Sequence, residues 1–155
     1  GVKANYAYTP SRVTTDKRIM EGSDVKSREQ SRPLFGQAAH VANLSLLFKQ
    51  VRLGWEGQLS LSYTGKRLSD ISNWYDDDIW EAGYTQLDAS VEKSFQAGFS
   101  LFARAANLLN TPLLRYIQQG PHTDAVDSPR TDSGNVIERK SWHGQSLLIG
   151  VRYKL

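Results

Sequence analysis

The sequence contains no cysteine, so neither a disulfide framework nor a thiolate metal site is open to it. Histidine is nearly as scarce. The three residues at 40, 122 and 143 show no nucleophile–base spacing. No apolar run approaches the roughly 18 residues that a membrane helix needs, and the mean hydropathy is −0.49. A transmembrane β-barrel passes the same filter, because only alternate residues of its strands face lipid. Charge of one sign is lacking too: 19 basic residues are interspersed with 16 acidic ones, for a net +3. A nucleic-acid binder usually carries a basic stripe, so no nucleic-acid partner is expected. Gly65-Lys66 lacks the upstream glycine of a phosphate-binding loop. At 155 residues the chain is long enough for one domain.

What the sequence does have is a period of two. Apolar residues recur at every second position in six stretches, near residues 2–13, 40–50, 55–64, 86–95, 99–105 and 146–155. That is the spacing of a β-strand, whose successive side chains point to opposite faces. The third stretch is strict: Trp55, Gly57, Leu59, Leu61 and Tyr63 alternate with Glu56, Gln58, Ser60, Ser62 and Thr64. The six proposed apolar faces hold one charge, Lys93, beside a turn. Asn43-Leu44-Ser45 matches a glycosylation sequon but falls inside a strand pattern.

The connections alternate as well. Residues 51–54 and 96–98 are short turns, whereas 14–39, 68–83 and 108–144 are long and polar. All the long connections therefore fall at one end of the sheet. Outer-membrane barrels have this layout, with short periplasmic turns and longer extracellular loops. Ten residues at about 3.3 Å each, tilted by about 45°, span roughly 23 Å, close to the apolar band of about 25 Å. Phe48, Trp55, Phe95, Phe99 and Tyr153 fall at the short-turn end, where an interfacial aromatic girdle belongs. Tyr8 and Tyr63 fall towards the other end. The expected fold is all-β: an antiparallel transmembrane β-barrel, of which this chain supplies about six strands.

Four segments carry a resemblance. GQAAHVANLSLLF (36–48), GYTQLDASVEKSF (83–95), FSLFARAANLLNTPLLRY (99–116) and GQSLLIGVRYKL (144–155) resemble late strands of TonB-dependent outer-membrane receptors, in the family's order. The resemblance covers most of the chain but not the long connections. It implies a barrel of about 22 strands around a plugged lumen, with this chain as its C-terminal part. The terminal strand is similar to the signal read by the barrel-assembly machinery, with Gly150, Tyr153 and Leu155 in the matching positions. Leu155 stands where the family prefers an aromatic, and Leu148 where a polar residue is commoner. Eight strands is the smallest single-chain barrel, so an upstream segment is expected to supply the other strands, the plug and the contact with TonB. A surface lipoprotein is a further partner that the resemblance allows.

For function, the resemblance implies energy-coupled uptake of a scarce solute across the outer membrane of a Gram-negative cell. The solute is an iron-siderophore, a vitamin or an oligosaccharide. Neither an enzymatic activity nor a cofactor is expected. Ligand contact is expected in the long connections, at Trp74, Tyr75, Asp76, Asp77, Asp78, Trp80, Arg115, Tyr116 and His122. The acidic run reads in three ways: a solvated outer loop, an aromatic-flanked wall for ligand stacking, or a calcium site, which needs six to eight oxygens. His122 with Asp124 and Asp127 reads as loop, as a metal site or as part of a catalytic group, His40 as the start of a strand, and His143 as a return to the barrel rim. Lys3, Gln58, Asp88, Glu92 and Arg104 are expected to face the lumen. The rival readings are a passive porin or receptor barrel, a soluble β-domain that binds a glycan or lipid, and a barrel-embedded hydrolase.

Overall fold

The computed structural model describes residues 1–95, 98–118 and 134–153. The chain forms, in order, β1 (Val2–Tyr8), β2 (Val13–Glu21), β3 (Asp24–Arg32), β4 (His40–Gln50), a 3-10 turn (Val51–Leu53), β5 (Trp55–Thr64), β6 (Arg67–Asp70), β7 (Ile79–Glu81), β8 (Tyr84–Ser94), β9 (Phe99–Ala106), β10 (Leu113–Ile117), β11 (Val136–Ser141) and β12 (Ser146–Tyr153). No α-helix occurs among the described residues. The protein is all-β, and its sheets are antiparallel.

One six-stranded sheet, in the order β1-β4-β5-β8-β9-β12, contains every strand expected from alternation. Its register aligns the alternating patterns of all six strands. Val2, Leu46, Leu59, Ala89, Ala105 and Leu147 form a single row of cross-strand partners. The next apolar row reads Phe48, Gly57, Val91, Ala103 and Ile149. Between the two, on the opposite face, runs a row of Leu47, Gln58, Ser90, Arg104 and Leu148, polar in its three central members. A slip of one residue in any strand would reverse its faces, so this register is the one that gathers the apolar groups. Nothing among the described residues covers them: Leu59 is 40% exposed and Ile149 71%. Among the described residues the sheet is open, with β1 and β12 as its two edges.

Two glycines permit close approach within this sheet. Gly54 closes the turn between β4 and β5 with φ 66°, and a Cβ there would overlap the backbone oxygen of Ser94. Gly150 lies opposite Phe102, and its bare backbone receives the Phe102 ring.

The structure corrects the expected connections. The first strand ends at Tyr8 rather than near Val13. Pro10 cannot donate to a ladder, and the chain turns out of the sheet there. The stretch read as polar connection, 14–39, holds the β2–β3 hairpin, tightly turned at Gly22-Ser23 with Glu21 opposite Asp24. The other two long connections also contain strands, which join in a four-stranded sheet ordered β11-β10-β7-β6. The buried residues lie mainly at this end of the molecule: Leu68, Ala38, Tyr116, Lys17, Asp78 and Asn107.

Candidate functional site

The described parts of the long connections assemble into one layer at a single end of the six-stranded sheet. Segment 72–78 lies along β2. Arg18 N donates to Asn73 O and Tyr75 N to Arg18 O, each at 2.9 Å, so Trp74 extends the hairpin as a short parallel bridge. The acidic run is fixed by side chains of the hairpin and of its own turn. Lys17 Nζ donates to Asp78 Oδ1, and both side chains are only 2% exposed. Ser72 N donates to the same carboxylate oxygen at 2.8 Å, and Ser72 Oγ to Asp77 Oδ2 at 3.1 Å. Gln30 Nε2 donates to Asp76 Oδ1 at 3.0 Å, while Asp76 N donates back to Gln30 Oε1 at 3.3 Å. Asp76 takes φ 56°, a left-handed conformation that Asp tolerates better than most side chains.

These contacts have an electrostatic reason. Lys17 faces Arg28 directly across the hairpin, a like-charge pairing that destabilises a ladder. Asp78 neutralises Lys17, and the Arg28 guanidinium lies 4.6 Å from the Tyr75 ring centre. The hairpin and segment 72–78 therefore satisfy each other. Asp78 Oδ2 has no hydrogen-bond partner although it is buried.

Trp80, Arg115 and Tyr116 come together in the four-stranded sheet. Trp80 pairs with Leu68 on one side and Tyr116 on the other, with the Lys66 ammonium 5.2 Å from its ring centre. Arg115 approaches Asp70 at 3.4 Å and Glu138 at 3.3 Å. Tyr116 is buried, and burial raises its phenol above the usual 10.0. Of the expected contact residues, Trp74 and Asp76 remain exposed, whereas Asp78 and Tyr116 are interior. His122 and Leu155 lie outside the described residues, as do Asp124 and Asp127. No group of three or more His, Asp or Glu side chains suited to a metal occurs among the described residues. What this layer offers a ligand is the exposed Trp74 indole, the Tyr75–Arg28 pair and a polar rim.

Lys17, Arg28 and Gln30 are central to the layer and were not among the expected site residues. Nothing in their local sequence signals the role, since their partners are 46–61 positions away. A second recess, of about 330 Å³, lies on the polar face of the large sheet among Gln58, Ser60, Asp88, Ser90 and Arg104. Asp88 there accepts from Gln86 Nε2 at 2.9 Å and Asn107 N at 2.8 Å. His40 is held by a 2.7 Å hydrogen bond between its Nδ1 and the Tyr6 hydroxyl, and it stacks on Tyr8 at 4.9 Å. In the comparisons with known proteins, no family model, curated protein or solved structure matches the chain.

Proposed function

We propose that this chain is wall and outer loops of a TonB-dependent transporter in the outer membrane of a Gram-negative cell. The observation that carries the reading is the uncovered apolar face, continuous across six registered strands. Water is a poor solvent for such a face, and lipid is a good one. In lipid, every backbone polar group must be satisfied internally, so the open edges of β1 and β12 need further strands. The upstream part of the same receptor supplies those strands, together with the plug and the contact with TonB. Further support comes from the layout of the long connections, all at one end, and from aromatics at the other. Phe99 and Tyr153 pack there with ring centres 4.7 Å apart.

On this reading the polar face lines the lumen and the loop layer faces the exterior. A scarce solute, such as an iron-siderophore, a vitamin or an oligosaccharide, meets Trp74, Tyr75 and Asp76 first. Transport requires no covalent step, and the chain is not an enzyme. Gly150, Tyr153 and Leu155 present the closing strand to the barrel-assembly machinery, and a surface lipoprotein is an optional partner.

The absence of cysteine makes the test clean. Environment-sensitive labels on Leu59→Cys, Leu61→Cys and Ile149→Cys should report hydrocarbon and be quenched from within the bilayer. Labels on Ser60→Cys and Ser90→Cys should not. Equal water exposure on both faces would sink the membrane reading. Uptake that persists in cells lacking TonB would instead favour a passive porin.

A further inference from the structure

At the short-turn end of the six-stranded sheet, cations on the two faces are treated differently. On the polar face, Lys49 pairs with Glu56 and Arg152 with Glu92, each at 3.2 Å. Those pairs also neutralise Glu56 and Glu92, which face each other across β5 and β8. Arg52, in the 3-10 turn, and Lys93, near the end of β8, have no carboxylate partner among the described residues. Lys93 is the single charge in the apolar rows, set between Trp55 and Leu101.

A cation on an apolar face is costly unless its head reaches water or an anion. Lys93 bends towards the turn. Its ammonium donates to Leu53 O and lies 5.2 Å from the Trp55 ring centre and 5.6 Å from that of Phe95. One of its three N–H groups is thereby engaged, and two remain. Arg52 adds a forked donor suited to phosphate oxygens. Both cations, with Leu53, Ser94 and Phe95, line a recess of about 390 Å³. The turn also exposes Val51 and Leu53 beside Arg52. That mixture of apolar and cationic groups suits the boundary between headgroups and acyl chains.

The geometry points to a binding site for the phosphate of an anionic glycerophospholipid, held by Arg52 and Lys93 with its acyl chains against Trp55 and Phe95. A net negative lipid is favoured because two unpaired cations face it. A zwitterionic headgroup would bring its own ammonium towards them. The inference rests on the membrane reading above, and it adds a ligand on the lipid side, away from the loop layer and the lumen.

The test is native mass spectrometry of the protein in detergent, titrated separately with phosphatidylglycerol, phosphatidylcholine and inorganic phosphate. The wild type should retain phosphatidylglycerol in preference to phosphatidylcholine. Arg52→Gln should weaken it about fivefold, and Arg52→Gln with Lys93→Gln about 25-fold, since each basic residue near an anionic surface contributes about one such factor. Among the described residues Arg52 makes no side-chain hydrogen bond or ion pair, so the single variant guards against loss of the double one. Equal phosphatidylglycerol retention by wild type and variants would overturn the site. Inorganic phosphate binding as tightly as the lipid would overturn the lipid as occupant. Vesicle flotation of the same samples separates the two ideas. A protein that floats with vesicles but loses no lipid on mutation sinks the lipid site alone, and one that never floats sinks the membrane reading.

Discussion

The six-stranded sheet and the loop layer solve opposite problems. The sheet collects its apolar side chains on one face and leaves them uncovered, while its polar face holds small hydroxyls and ion pairs in regular rows. The loop layer has no strict alternation to gather its apolar residues, yet it contains the fully buried Leu68 and a buried ion pair, Lys17–Asp78. One region is held by cross-strand registry and asks its surroundings to complete it. The other is held by specific polar contacts between distant segments. Stability in the sheet should thus be spread over many small pair terms of about 0.2–1 kcal/mol each. In the loop layer it should be concentrated in a few residues.

Asp78→Ala offers the sharpest way to break that contrast. It strands Lys17 in the interior, and losing one partner of a buried pair costs about 3–5 kcal/mol. Hydrogen exchange should accelerate in β2, β3 and segment 72–78 while β4 and β5 keep their protection. Lys17→Met combined with Asp78→Leu should recover most of the loss. Uniform acceleration across both regions would show that they are one cooperative unit. Next in size is Leu59→Arg, expected to cost about 2–4 kcal/mol in a bilayer, against far less for Ser60→Arg one residue away. Denaturant unfolding in vesicles reads both, and equal costs would erase the distinction between faces.

Gly54→Ala should lower sheet stability by about 1–3 kcal/mol, as overpacking does. The new methyl meets the Ser94 carbonyl and the backbone sits at φ 66°. The loop layer should be untouched, as proteolysis at its rim would report. The smallest effect belongs to Tyr116. Burial raises its phenol above the usual 10.0, so the folded state prefers the neutral form. That contribution is complete below the unfolded value and is lost as pH rises through the higher folded value. Tyr116→Phe should therefore change neutral-pH stability by less than about 1 kcal/mol and reduce the alkaline loss, read by tyrosinate absorbance.

The sheet was legible in the sequence because its period of two is a local signal repeated on six strands. Even the face that Leu59 and Leu61 share follows from counting. The loop layer was not legible in this way. Asp24–Arg32 reads DVKSREQSR, with no apolar alternation, and pairs through its backbone all the same. Gly22-Ser23 was a hairpin signal, but it lacked the flanking hydrophobic runs that usually support one. Asp78 looked like one of three solvated acids, and only the approach of Lys17, 61 positions earlier, makes it interior. The two left-handed asparagines, Asn107 and Asn110, lie between these cases. Their place after the alternating run of FSLFARAANLLNTPLLRY was visible, and their left-handed backbone conformation suits asparagine better than most side chains.

The Lys17–Asp78 pair also sets an order of assembly. Strands β4 and β5 lie between its two members in the chain, so closing the pair before those strands find their register costs the entropy of a loop 61 residues long. Until then both charges belong in water, and the segments that carry them have no reason to collapse onto the apolar rows. Long-range closure of this kind is slow because chain entropy is lost before any contact forms. The layer is thus expected to act as a late clasp, fastening once the strands beneath it are aligned and leaving the growing sheet unobstructed until that moment.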